Sequence, residues 1–205
     1  TAALQPGECA VLRRGSLAVR PEWCFHAIPE NPRPCRTRTQ FIGELRERLE
    51  DTVRAHVVAD VPVGAFLSGG LDSAAVVGLM TRVGGARLRT FAIDFAEPGY
   101  SEAAAAEATA RHFGTEHRTT PLTGADVARE IGQLLHAFDQ PTGDGINTYY
   151  ASRAARHGGV TVALSGLGGD ELFGGYPSFR DTPRLARWLP AWRALPNRVR
   201  APVVA

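Results

Sequence analysis

The chain makes the same move twice. In VGAFLSGGLDSAAVV (63–77) an apolar run halts at Ser68-Gly69-Gly70, meets an acid at Asp72 and resumes as an apolar segment. In VTVALSGLGGDELF (160–173) a second run halts at Ser165-Gly166, passes two more glycines and meets Asp170 and Glu171. Runs this short, rich in β-branched residues and broken by glycine, read as buried strands, and the longer apolar segments between them read as helices. The remaining strand candidates are RTFAIDF (89–95) and EHRTTPL (116–122). Helix candidates cover 72–83, 101–113 with Ser101 as N-cap, 124–138 and 147–157, and glycines at 84–85 and 114 serve as stops. Strand and helix in alternation predict an α/β fold, a parallel sheet with helices on both faces.

Upstream, Phe41, Leu45, Leu49, Val53 and Val57 recur at four-residue steps with charges between them, which predicts an amphipathic helix with one buried stripe. PENPRPC (29–35), with three prolines in seven positions, reads as a linker. The expected organisation is a short N-terminal segment, 1–36, and a larger domain, 37–205. Beyond residue 180 prolines and arginines dominate, and Trp188 and Trp192 share a face that reads as half a helix separated from its partner.

Each strand-to-glycine junction opens a loop whose backbone N–H groups, joined to the N-terminus of the next helix, make an anion pocket. A phosphate is the natural occupant. Asp72 then stands out, because a carboxylate about 4 Å from a phosphate costs on the order of 4 kcal/mol per charge pair at an effective dielectric near 20. A divalent cation removes the conflict, since Mg²⁺ takes one or two carboxylates plus phosphate oxygens and keeps waters elsewhere. Asp72 and Asp170 are the candidate metal ligands, with Glu171 beside them. A plain helix N-cap is the alternative role for either aspartate. If strands 63–67 and 160–164 are neighbours, both acids face one crevice at the carboxyl ends of parallel strands.

The loop does not match GxxxxGK[ST], having neither that spacing nor a lysine. SGGLDS instead resembles the PP-loop of ATP pyrophosphatases, which split ATP between its α and β phosphates; asparagine, GMP, argininosuccinate and NAD synthetases carry it. SGLGGDELFGGY narrows the resemblance to the asparagine synthetase family, and TFAIDF, YSEAAAAEATARHFGTEH and FDQPTGDGINTYYASRAAR extend it over about residues 40–180. Residues 1–28 resemble, more weakly, the end of that family's glutaminase domain. The resemblance implies that Ser68, Gly69, Gly70, Asp72 and Ser73 hold ATP phosphates and Mg²⁺. It further implies that backbone groups of Leu67 and Ile93, with Ser165 and Gly166, hold adenosine, and that Asp170 and Glu171 serve pyrophosphate and metal. A carboxylate, aspartate or another, would attack the α-phosphate, and ammonia from glutamine or an amine would convert the acyl-adenylate to an amide. Asp139, Asp144, Asn147 and Leu167 are candidates for the substrate pocket.

Three departures qualify this expectation. Leu167 occupies the place where asparagine synthetases commonly carry an acid, which opens the alternative of a related amide former such as a lactam synthetase or peptide cyclase. All 23 basic residues are arginine, so the family's catalytic lysine has no counterpart, and neither has the N-terminal cysteine nucleophile of the glutaminase, because Thr1 begins the sequence. The expectation is therefore an incomplete enzyme, with a non-catalytic ATP-binding module as the rival. Cys9, Cys24 and Cys35 lack CxxC spacing, and no apolar run reaches membrane length. An odd cysteine count without a secretory signal points to the cytoplasm, and a net charge of +2 gives no reason to expect nucleic acid.

Overall fold

The computed structural model describes residues 4–5, 8–21, 37–84, 87–97, 101–138 and 142–194. It divides into two compact units, Thr1–Arg46 and Glu47–Ala205. In the first, β1 (Glu8–Arg13) and β2 (Ser16–Pro21) form an antiparallel hairpin, a feature the sequence patterning did not reveal. Arg14 and Gly15 turn it with φ of 47° and 83°, the paired left-handed conformations that suit a two-residue hairpin turn. The expected linker at 29–35 lies outside the described residues.

Helix α1 (Arg38–His56) starts in the first unit and ends in the second. Its stripe is only partly buried, contrary to expectation. Val53 is buried, Leu45, Leu49 and Val57 are half-buried, and Phe41 stays 60% exposed. Val53 and Val57 are the members that join the core of the second unit.

The second unit runs β3 (Val63–Phe66), α2 (Leu71–Val83), β4 (Arg89–Phe95), α3 (Ala103–Phe113), β5 (Glu116–Leu122), α4 (Gly124–Ala137), α5 (Gly145–His157), β6 (Val162–Leu164), then short helices α6 (Gly169–Phe173), α7 (Pro177–Ala186) and α8 (Leu189–Ala194). The four strands form one parallel sheet in the order β5-β4-β3-β6. Side chains alternate between its faces, as the strand period requires. Ala65, Leu67 and Ala92 pack with Val77, Met80, Ala106 and Ala110 of α2 and α3. Phe91, Ile93 and Phe95 turn to the other face, where Ala155, Leu134 and Tyr150 of α5 and α4 cover them. The α/β architecture expected from the sequence is the one observed.

Several boundaries differ from expectation for local reasons. The run 160–164 pairs only from Val162, because Val160 turns into the core and the N–H groups of Thr161 and Val162 both reach the Pro62 carbonyl. Helix α5 starts at Gly145, two residues before the patterned segment. Ser101 does not cap α3: Glu102 holds the N-cap position, and its side chain makes no capping bond. Gly114 does end α3 in the left-handed region, at φ 67°, with its N–H bonded to the Ala110 and Arg111 carbonyls.

The order of the strands sets the place of the crevice. From β3 the chain steps outward to β4 and β5, with α2 and α3 on one face. It then returns along α4 and α5 on the other face to lay β6 on the far side of β3. The direction of winding reverses between β3 and β6, and ligand crevices of open α/β sheets lie at such a reversal, beyond the carboxyl ends of the strands.

Candidate functional site

The two glycine loops leave the carboxyl ends of β3 and β6, the pair of strands flanking that reversal. Val63, Gly64 and Ala65 stand opposite Val162, Ala163 and Leu164, so the chain exits both strands at nearly the same height. The loops touch. A side chain on Gly166 would stand 2.6 Å from the Ser73 nitrogen, and one on Gly169 would run into the carboxyl group of Asp72. Glycine at these two positions is what lets the second loop lie against the start of α2.

In the first loop Ser68 and Ser73 share a hydroxyl–hydroxyl hydrogen bond of 2.9 Å, and the Ser68 N–H donates to Ser73 Oγ at 3.2 Å. Gly70 donates its N–H to Ser68 Oγ at 3.2 Å, and Gly69 donates to Glu102 Oε2 at 3.0 Å. Leu67 is buried, and its N–H donates to the Phe91 carbonyl at 2.8 Å. Gly70 is the N-cap of α2 and supplies no side-chain cap. Asp72 therefore sits in the first turn and is no N-cap. The first backbone bond into the helix runs from Ala74 to the Gly70 carbonyl. Among the described residues no acceptor meets the N–H groups of Leu71, Asp72 and Ser73, the orphan donors that every helix start carries.

The second loop turns at Gly168, the N-cap of α6, with φ 96°. Leu167 donates its N–H to Ser165 Oγ at 3.1 Å, and the Leu167 side chain is 84% exposed. Asp170 and Glu171 occupy the first turn of α6, so Asp170 is not an N-cap either. Gly175 closes the segment, its N–H on the Asp170 carbonyl at 2.9 Å, and a side chain there would strike the Asp170 carboxyl. The Tyr176 hydroxyl donates to Glu171 Oε1 at 2.8 Å, and the ring stacks on Phe179. That bond to Glu171, with lesser contributions from burial and from the charges of Asp170 and Asp72, raises the Tyr176 phenol above its ordinary range. Among the described residues no group of three or more His, Cys, Asp or Glu could hold a metal ion alone. The all-oxygen carboxylates of Asp72 and Asp170 are donors of the kind that suit a hard cation taking its other ligands from phosphate and water.

The other expected residues disperse. Ile93 points its side chain away from the loops, into the cluster of Leu122, Leu134 and Tyr150. Asp144 is the N-cap of α5 but makes no side-chain capping bond, and Asn147 lies in the first turn, exposed. Neither belongs to the neighbouring groove lined by Phe138, Thr148, Tyr149, Ser152, Arg153 and Arg156. Asp139 lies outside the described residues. Two residues bear on the loops without having been singled out. Tyr176 stood inside the quoted GGY. Glu102 stood in SEAAAAEATA, where alanine-rich composition advertised only a helix, and no local pattern could reveal its reach across 33 residues to Gly69.

Known proteins place these loops in context. Asparagine synthetase [glutamine-hydrolyzing] 1 of Bacillus subtilis (strain 168) is 37% identical over 154 residues, covering 74% of this chain and 24% of its own. Asparagine synthetase B [glutamine-hydrolyzing] of Escherichia coli (strain K12) is 34% identical over 158 residues, covering 69% and 28%. The chain thus spans about a quarter of the length of the curated relatives it matches. Among solved structures, NMN synthetase from Francisella tularensis overlays with a TM-score of 0.45 at 18% identity, covering 67% of this chain and 59% of that one. The family profile described as asparagine synthase matches residues 44–205, more than half of the chain, and both glycine loops fall within that span. The chain belongs to the asparagine synthase family.

Proposed function

We propose that this chain is part of an ATP-dependent amide-forming enzyme, with residues 37–205 belonging to its ATP-cleaving domain and residues 1–36 to the end of a glutaminase-type domain. The observation that carries the reading is the meeting of the two loops at the sheet's reversal, with the Asp72 carboxyl against Gly169, the residue before Asp170. The N–H groups of Leu71, Asp72 and Ser73, which meet no acceptor among the described residues, would take the phosphates with the hydroxyls of Ser68 and Ser73. Gly69 serves that role by letting the loop pack closely on α3, and the N–H groups of both Gly69 and Gly70 are engaged within the protein. Ser165, Gly166 and the backbone at Leu67 and Ile93 would border adenosine. Asp72 and Asp170 would hold Mg²⁺, which neutralises charge on the phosphates when bound, and Glu171 would stand behind them.

A carboxylate substrate would attack the α-phosphate, release pyrophosphate and leave an acyl-adenylate for ammonia or an amine to open, with release of AMP. Such a displacement asks the protein mainly for positioning and charge neutralisation. The partners are then ATP, a carboxylate, a nitrogen nucleophile and the glutaminase domain that supplies ammonia. Asparagine formation from aspartate is the first reading. The exposed Leu167 favours a second, in which the carboxylate is another acid, because leucine neither moves a proton nor orients an ammonium ion. No helix among the described residues is long and apolar enough to cross a membrane, and we place the protein in the cytoplasm.

The test is calorimetric titration of the chain with ATP, with and without Mg²⁺, followed by ATP–pyrophosphate exchange over a panel of carboxylic acids. Wild type is expected to bind ATP only with Mg²⁺, and Asp72→Asn to weaken that binding by about tenfold or more. Equal affinity with and without the metal would remove Asp72 and Asp170 from the site. Exchange with aspartate supports the first reading, and exchange only with another acid the second.

A further inference from the structure

One contact at the first loop has no part in holding phosphate. Gly69 gives its N–H to Glu102 Oε2 at 3.0 Å, and Glu102 belongs to the start of α3, a different helix on the same face of the sheet. The two backbones are close as well. A side chain on Gly69 would lie 3.1 Å from the Ala105 Cβ and 3.3 Å from the Glu102 Cβ. The loop is therefore gripped from both sides, by the first turn of α3 at Gly69 and by Gly166 at Ser73.

The direction of the grip matters. Gly69 turns its donor toward α3, whereas the N–H groups with no acceptor among the described residues belong to Leu71, Asp72 and Ser73, on the stretch that lies against the second loop. A glycine pair with no side chains of its own does not hold one curvature, because each glycine samples left- and right-handed backbone at little cost. A charged acceptor on one amide selects among those shapes, and a hydrogen bond to a carboxylate is roughly twice as strong as one between neutral groups. Glu102 is free to play this part because it does not cap its own helix.

We propose that Glu102 is a positioning residue for the phosphate loop: its carboxylate pins the Gly69 amide against α3 and so presents the start of α2 to the ATP phosphates. The inference rests on the reading of the loop as an ATP site. Its rival is a carboxylate that merely occupies the loop as a stand-in anion and leaves when phosphate arrives. The two differ in sign. A positioning Glu102 helps binding, whereas an occupying Glu102 competes with it.

The experiment titrates wild type, Glu102→Gln and Glu102→Ala with ATP and Mg²⁺, and separately with inorganic pyrophosphate and Mg²⁺, and records thermal midpoints alongside. The glutamine variant keeps an oxygen acceptor of the same reach, and the alanine variant keeps none. The expected result is that Glu102→Ala binds both ligands about tenfold or more weakly, that Glu102→Gln restores affinity to within a few-fold of wild type, and that all three melt alike. Binding by the alanine variant as tight as wild type, or tighter, overturns the proposal, and a glutamine variant as weak as alanine overturns the hydrogen bond as its cause. Absence of ATP and pyrophosphate binding in all three would instead remove the ATP reading itself, which the wild-type titration reports separately.

Discussion

At the scale of single residues, the site depends as much on atoms that are missing as on those present. Gly169 is the clearest case. Its φ is not positive and it lies inside α6, so alanine there meets no backbone penalty, and in a helix alanine outranks glycine by roughly 0.5–1 kcal/mol. The obstacle is the Asp72 carboxyl, which occupies the place of the added methyl. That carboxyl is the end of a half-buried side chain and can swing aside, but the Asp72 Cβ, 2.9 Å from the methyl's place, cannot. Gly169→Ala is thus expected to melt somewhat below the wild type, because the two loops must part slightly, while losing about tenfold or more of its Mg²⁺-dependent affinity for ATP, read by the same titration. A variant that binds ATP normally would show that the Asp72 carboxyl need not lie where the structure has it. The acids themselves were legible in the sequence, because a carboxylate beside an anion loop demands an explanation. Gly169's contact and Glu102's were not, since both depend on which loop lies beside which.

Elements were legible in proportion to how much of their pattern is local. RTFAIDF and EHRTTPL appear as strands with the boundaries the sequence suggested, because both are flanked by breakers; helices bury β4 on both faces, whereas β5, at the sheet edge, buries only Leu122. Helix α4 was equally plain. Thr123 Oγ1 accepts from the Asp126 N–H at 3.2 Å while Asp126 Oδ2 accepts from the Thr123 N–H at 3.2 Å, a reciprocal cap written in the sequence four residues long. Removing the cap with Thr123→Ala is expected to cost about 1 kcal/mol and to lower the midpoint of thermal unfolding by about 2–4 °C. ATP affinity should not change, because α4 covers the sheet face opposite α2 and α3. The hairpin of β1 and β2 escaped notice for the opposite reason. With Leu12, Leu17 and Val19 at least half exposed, neither strand shows the alternation that a buried face imposes. The partial stripe of α1 failed similarly: the repeat names a face, and only packing decides how far along the helix that face is covered.

For the molecule as a whole, stability is concentrated in the parallel sheet, and one titratable group is built into it. His117 on β5 stands opposite Thr90 on β4, and the Thr90 hydroxyl, fully buried, bonds both His117 Nδ1 and Thr115 Oγ1 at 2.9 Å. Thr119 Oγ1 meets the other ring nitrogen at 3.2 Å. Burial holds the imidazole below its ordinary range, and it prevails over the opposing effects of the Glu107 charge and the bond with Thr90. The direction of the linkage follows. Because the unfolded chain takes up this proton more readily than the folded one, folding is favoured while both forms are neutral, and the advantage declines as pH falls from the unfolded value of about 6.5 through the lower folded value. The midpoint of urea unfolding is therefore expected to drop between about pH 7 and pH 5 in the wild type. His117→Gln, which can keep hydrogen bonds to both threonines but cannot titrate, is expected to show a shallower drop over the same interval. The other histidines contribute equally to both proteins, so the difference between the two curves isolates His117. Parallel curves would mean that the ring is protonated in place without loss, and that the Thr90 network tolerates a charge at this half-buried position.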